Sequence, residues 1–117
     1  MIIGLTQGDI NGIGSELLVK MLADNKICEI CTPLVIGSSK VMGFYKKNIE
    51  TDEEPLNLTM NLVQKPEEAS DKRANIINCF SDDVKVEPGI ETNVSDECAM
   101  LALRQGLDYL DRNRIDA

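Results

Sequence analysis

The chain opens on an apolar run, Met1-Ile-Ile-Gly-Leu5, which leads straight into Thr6-Gln-Gly-Asp-Ile-Asn-Gly-Ile-Gly-Ser-Glu16. A short apolar run of this kind reads as a buried strand. Three glycines follow it (Gly8, Gly12 and Gly14), and a helical pattern opens at Ser15-Glu16-Leu17-Leu18. The order strand, glycine-rich turn, helix lets backbone N–H groups and a helix N-terminus face an anionic ligand. Glycine suits such a turn because, without Cβ, it takes positive φ freely and lets a ligand approach the backbone. The spacing is neither the dinucleotide fingerprint G-x-G-x-x-G nor a P-loop, which ends in Gly-Lys-Ser/Thr. Glu16 puts negative charge at the helix start, which argues against a simple phosphate cradle. On spacing alone, a plain connecting turn is an equal reading.

The next elements extend the pattern. Leu17, Leu18, Met21 and Leu22 share one face of a helix that Ser15 caps and Asp24-Asn25 ends, with a further short turn or helix over 27–31. Pro33-Leu-Val-Ile-Gly37 reads as a second buried strand. Ser38 or Ser39 then caps a helix through Val41, Met42, Phe44 and Tyr45. This β–α–β–α order predicts a largely parallel sheet with flanking helices. Residues 48–55 are acidic (Glu50, Asp52, Glu53, Glu54) and read as a solvated loop. Leu56, Leu58, Met60 and Leu62 alternate as in a half-buried strand, and 76–80 and 84–86 read as short strands. Pro88-Gly89 marks a turn. Residues 94–112 form the clearest helix, capped by Asn93 or Ser95, with Asp96 and Glu97 in its first turn. Its apolar positions are Cys98, Leu101, Ala102, Leu103, Leu107 and Leu110. Arg112 and Arg114 close it in the sense the macrodipole favours. Gly106 inside it costs up to about 1 kcal/mol against alanine and marks a close approach to a neighbour. Strands at 2–6, 33–37 and 76–80 should share one sheet, with the helices near 15–24 and 94–112 packed on it.

Composition narrows the function. The 117 residues carry a net charge of −8, which argues against nucleic acid and anionic membranes as partners. Hydrophobic residues are 43% of the chain and aromatics 3%, so the core must be aliphatic. No apolar stretch is long enough to span a membrane and no signal peptide is visible, so a cytoplasmic location is expected. Cys28 and Cys31 have C-x-x-C spacing, but Cys79 and Cys98 stand alone and complete no zinc site. These four read as ordinary thiols in a reducing compartment. There is no histidine, so His-dependent triads and His-based metal sites are ruled out within these residues.

The stretch Thr6 to Glu16 resembles the N-terminal signature of the 4-hydroxythreonine-4-phosphate dehydrogenase family, roughly T-x-G-D/E-P-A-G-I-G-P-E. That family shares its fold with the isocitrate and isopropylmalate dehydrogenases, whose loop reads G-D-G-I-G-P-E. Thr6, Gly8, Asp9, Gly12, Ile13, Gly14 and Glu16 match. Gln7, Ile10, Asn11 and Ser15 stand where proline, proline, alanine and proline are usual, departures expected to loosen the loop. Further on, Gly89, Ser95, Ala99, Ala102 and Leu103 are similar to the family's G-x-x-S-x-x-x-G-x-x-A-x-x-A-L, and Ile115-Asp116-Ala117 to the start of I-D-A-L-V-T-A-P-I-N-K.

The resemblance implies an incomplete N-terminal α/β segment, residues 1–117, of a larger cytoplasmic homodimeric dehydrogenase. It implies an NAD-dependent enzyme that oxidises a phosphorylated hydroxy-amino acid in pyridoxal phosphate (vitamin B6) biosynthesis. A divalent metal (Zn, Mg or Mn) polarises the alcohol, and decarboxylation follows. It makes Thr6, Gly8, Asp9, Gly12 and Gly14 the floor of the cofactor cleft. No catalytic residue and no metal ligand are assigned within these 117 residues, and neither NAD nor metal is expected to bind tightly to this chain alone. For Asp9, a turn-forming role is as good a reading as a ligand contact. The alternative is a non-catalytic α/β protein-interaction module. With no histidine and no carboxylate cluster, the purified 117-residue chain should show no metal-dependent reduction of NAD, a point a spectrophotometric assay of NADH formation decides.

Overall fold

The computed structural model describes residues 1–24, 26–51, 56–81 and 83–117. Strand β2 (Thr32–Gly37) is buried at every position. A strand without polar alternation must be covered on both faces, and the other elements do this. β1 (Ile2–Thr6) pairs with one side of β2 and β4 (Asn75–Asn78) with the other, while β3 (Asn61–Leu62) pairs with β4. All three pairings are parallel, in the order β1-β2-β4-β3.

Alternate residues of the centre strands feed two cores. Val35 and Ile76 pack with Val19, Leu22, Val41, Met42 and Tyr45, from helices α1 (Gly14–Ala23) and α3 (Ser39–Ile49). Leu34, Ile36 and Ile77 pack with Ala102 and Tyr109 of α4 (Asn93–Asp111) and with Ile115. Each fully buried Leu, Ile or Val contributes about 1.5–3 kcal/mol. A single-turn helix, α2 (Lys26–Ile30), joins α1 to β2. Among the described residues, no helix is long and apolar enough to cross a membrane.

The expected strands near 2–6, 33–37 and 76–80 and both long helices are present in one sheet with helices packed on it. Other local expectations are corrected. Ser15 is not a cap: α1 starts at Gly14, Ile13 occupies the cap position, and no side chain caps the helix. Its buried positions are Ser15, Val19 and Leu22, whereas Leu17 and Met21 are exposed. Residues 56–63 give only the two-residue β3, although Leu58 and Val63 are buried, and 84–86 form no strand. A two-residue contact is all that β4's outer edge needs, because Asn75 holds this region by side-chain bonds instead. Its Oδ1 accepts from Ser70 N and Asn61 Nδ2, and its Nδ2 lies 2.8–3.1 Å from the carbonyl oxygens of Pro33, Ser70 and Arg73. The end of the first helix at Asn25 and the acidic run over 52–55 fall outside the described residues.

Helix α4 is turned from the expected orientation. Thr92, not Asn93 or Ser95, is its cap, and Ser95 closes a reciprocal capping box with it. The buried stripe is Ser95, Cys98, Ala102 and Gly106, small residues that bring the helix close to the sheet, followed by the larger Tyr109, which packs into the core beside Ile115. A β-carbon on Gly106 would lie 3.1 Å from Thr6 Cγ2 and 3.4 Å from Ile36 Cδ1. Leu101, Leu103, Leu107 and Leu110, the larger apolar residues, stay 42–56% exposed. At the far end Asn113 takes a left-handed φ of 57°. Arg114 N then donates to Tyr109 O and Asn113 N to Leu110 O, a Schellman closure. Arg114 forks onto Glu67 through Nε and Nη2 at 2.8 and 3.0 Å and lies over the Tyr109 ring. Residues 115–117 then run beside β1 in its own direction, through Asp116 N to Ile2 O and Gly4 N to Ala117 O.

Two outcomes follow from this arrangement. Gly106→Val should lower unfolding free energy by about 1–3 kcal/mol through overpacking against β1 and β2, while Leu107→Gln should change it by no more than about 0.5 kcal/mol; urea denaturation measures both. The Arg114 hydrogen bonds hold the Glu67 carboxyl at about 2, below its ordinary 4.5. A carboxyl lowered on folding stabilises above its unfolded value and loses that contribution as pH falls through its folded value. The difference in melting temperature between the parent chain and Glu67→Gln should therefore shrink between pH 4.5 and about 2, and should also shrink with added salt because the pair is exposed.

Candidate functional site at the carboxyl ends of the strands

Because the sheet is parallel, the loops after β1, β2 and β4 leave from one edge, and it is outside the carboxyl ends of such strands that open α/β sheets bind ligands. Here the three exits are laced together. Gln7 N donates to Ile36 O, Cys79 N to Gly37 O, and Ser39 N to Asn78 Oδ1 at 2.7 Å. Gln7, buried to 1% exposure, accepts from Ser38 N at 2.9 Å through Oε1. Its side chain passes so close to β2 that a β-carbon on Gly37 would fall 2.6 Å from Gln7 Cβ and 2.3 Å from Oε1. Ser38, with its Oγ accepting from Val41 N, caps α3 as expected.

The five residues of the expected cofactor floor lie along this edge in different settings. Gly8 has φ 72°, with open space where a β-carbon would stand. Asp9 is exposed; its Oδ1 accepts from Asn11 N at 2.9 Å and its carbonyl from Gly12 N, so the turn-forming role is realised. A β-carbon on Gly12 would make ordinary contact with Asp9 at 3.4 Å, and one on Gly14 would come 3.2 Å from Gln7 O. Gly8 to Gly14 thus form one compact turn into the side-chain-free start of α1. Thr6 lies apart from it, its methyl against Gly106, in a cavity of about 120 Å³ that also includes Gly4, Leu103, Leu107 and Ile115. Small-molecule sites usually enclose about 300–1,000 Å³, so this cavity is smaller than such a site.

The four positions that depart from the family pattern are all buried: Gln7, Ile10, Asn11 and Ser15 are 0–3% exposed. Their side chains are packed inside the fold. Ile10 fills the core between α1 and α3, and the Tyr45 hydroxyl donates to its carbonyl. Burial, then the nearby Asp9 and Glu16 charges, push the Tyr45 phenol above its ordinary range, so it remains a donor. Asn11 bonds to the Glu87–Ile90 turn. Among the buried side chains of the described residues, Ser15 Oγ has no partner. The sequence signal for Gln7 and Asn11 was their placement in a glycine turn, but their partners lie 31 and 76–79 positions away.

The thiols behave as structural residues. Cys28 and Cys31 are half-buried and free, and burial followed by the neighbouring Cys31 raises the Cys28 thiol. Burial, with Cys98 adding, pushes Cys79 up to about 11. Among the described residues, no group of three or more His, Cys, Asp or Glu side chains could hold a metal. The donor set here therefore does not fit the divalent ion the resemblance implies. The turn leaves open space at Gly8, and residues 6–16 carry no cation.

No protein-family model matches the chain. It is 33% identical over 114 residues to a 4-hydroxythreonine-4-phosphate dehydrogenase of Bacteroides thetaiotaomicron, covering 97% of this chain and 30% of that protein. It is 29% identical over 119 residues to an Oceanobacillus iheyensis protein provisionally assigned as a D-threonate 4-phosphate dehydrogenase, covering 99% of this chain and 34% of the relative. In fold it is similar to crystal structures of 4-hydroxythreonine-4-phosphate dehydrogenases from Burkholderia phymatum (TM-score 0.79, 23% identity) and Klebsiella pneumoniae (0.80, 22%). Each structural match covers 97% of this chain and 34% of the solved one. The chain thus spans about a third of the length of the relatives it matches.

The close passage of Gln7 over β2 sets a test of this geometry. Gly37→Ala should destabilise by about 1–3 kcal/mol. Gly43→Ala, in α3 with nothing within 4 Å of the new carbon, should instead stabilise by up to about 1 kcal/mol. Thermal denaturation of the two variants reads both signs.

Proposed function

We propose that this chain, which is related along almost its whole length to the 4-hydroxythreonine-4-phosphate dehydrogenases, forms the first wall of the cofactor cleft in an NAD-dependent oxidoreductase of that kind. The observation that carries the reading is the Gly8–Gly14 turn, fixed at the carboxyl end of β1, with open space beside its backbone at Gly8. Thr6, Gly8, Asp9, Gly12 and Gly14 are the residues assigned to the cofactor. Gly8 and Gly12 give close approach to backbone, Gly14 starts α1 beneath the ligand, and Asp9 shapes the turn while leaving its second carboxylate oxygen at the surface. NAD supplies hydride acceptance when bound, and the residues here orient it and shield one side from water. No acid, base or metal ligand is assigned to this chain, and metal dependence would rest on residues outside it.

The substrate class is a phosphorylated hydroxy acid or hydroxy-amino acid. The relatives' names contain both, 4-hydroxythreonine 4-phosphate and D-threonate 4-phosphate, and the second keeps open the related hydroxy-acid substrates. Oxidation of the alcohol would lead towards pyridoxal phosphate in the first case. A non-catalytic interaction module is favoured by one observation, the exposed leucine row of α4.

One comparison separates the readings. In a chain extended to the relatives' full length, NADH formation should appear with one of the two phosphorylated substrates, and inertness with both would favour the interaction module. In that extended enzyme, Gly12→Val should raise KM for NAD about tenfold or more, equivalent to about 1.4 kcal/mol of binding, with little change in melting temperature. A large fall in melting temperature with an unchanged KM would mean that the turn is structural.

A further inference from the structure

Asn11 makes four hydrogen bonds from a buried position. Its N–H donates to Asp9 Oδ1 at 2.9 Å, and its side-chain Nδ2 donates to Ile90 O at 2.8 Å. Its Oδ1 accepts from Glu87 N at 2.7 Å, and its main-chain carbonyl accepts from Gly89 N at 2.7 Å. Both ends of the amide are used, and the residue is 3% exposed. The segment it grips, Glu87–Ile90, turns at Gly89 with φ 82° and leads directly into Thr92, the cap of α4. Two stretches about 76–79 positions apart are therefore tied through one side chain.

We propose that Asn11 is a positioning residue that clips the Asp9–Gly12 turn to the Glu87–Ile90 turn, so that the opening loop is held in its ligand-ready shape before any ligand arrives. Two physical points carry this. The Asn11 side chain joins the two turns with two hydrogen bonds, which its truncation removes together, each worth about 0.5–1.5 kcal/mol. The loop also lacks prolines, so its conformation is not fixed by restricted φ and must be fixed by contacts. The Tyr45 hydroxyl on Ile10 and the Gln7 amide on Ser38 hold the near side of the loop. Asn11 holds the far side, against the entry to α4. Its significance for cofactor binding rests on the reading of the loop as a cofactor wall; the clip itself does not.

The test is amide hydrogen exchange by NMR on the 117-residue chain, with no ligand present, so a failed NAD titration would leave it untouched. Two amides are diagnostic: Gly89 N–H bonds the main-chain carbonyl of Asn11, and Gly12 N–H bonds that of Asp9. Neither bond is deleted by Asn11→Ala. If the side chain positions the loop, both amides should exchange about tenfold faster or more in Asn11→Ala, while amides of β2 and β4 keep their protection. Asn11→Asp retains the acceptor for Glu87 N–H and loses the donor to Ile90 O, and should restore part of the Gly89 protection. It also serves where the alanine variant does not fold. Unchanged exchange at Gly12 and Gly89 in either variant would overturn the proposal, as would a uniform loss of protection across the whole sheet.

Discussion

The parallel pairing of β2 between β1 and β4 is the constraint from which the rest of the molecule follows. A strand buried along its whole length needs apolar cover above and below, and this places α1 and α3 on one face and α4 on the other. Parallel pairing also sends every strand's exit to a single edge. Gln7, Ser38 and Asn78 meet there and bond to one another's segments. The site is a consequence of the sheet's direction, not of any one motif.

The glycine turn illustrates how one conformation can be reached by different chemistry. Where prolines are usual in the resembling pattern, this chain has Gln7, Ile10 and Ser15, and it has Asn11 where alanine is usual. All four turn inward. Proline restricts φ in the unfolded chain as well as the folded one. Buried amides and an isoleucine act only once their partners have assembled, so the loop here is coupled to α3 and to the approach to α4. The shape of the glycine turn therefore depends on tertiary contacts made by residues buried beneath it.

Helix α4 shows the same dependence from the packing side. Small residues, Ser95, Cys98, Ala102 and Gly106, face the sheet, and this allows the Thr6 methyl and Ile36 to approach the helix backbone. The leucines flank this seam. With Gly4, Thr6 and Ile115, Leu103 and Leu107 border a cavity beside β1 too small for a dinucleotide.

The order of elements was legible in the residues themselves. Apolar runs at 2–5 and 33–36, the glycine turn, the Ser38 cap and the helical period over 94–111 each report a local preference, and local preference acts over a few neighbours. The same is true of Asp9, whose bond to a residue two places on is a short-range property of aspartate in turns. Which face of a helix is buried was not legible for α4, because its leucines are larger and more apolar than Ser95, Cys98, Ala102 and Gly106, and apolarity alone selects the wrong side. The sheet decided it: along most of the seam, at Ser95, Cys98, Ala102 and Gly106, small side chains face it. Nor could 56–63 be told from a full strand, since its alternation is real while its hydrogen bonds depend on where β4 and Asn75 lie. The roles of Gln7 and Asn11 were also beyond local reading. An amide in a glycine-rich turn looks like a solvated turn residue until its partners arrive from distant positions, and only the folded chain brings Ser38, Glu87 and Ile90 to it.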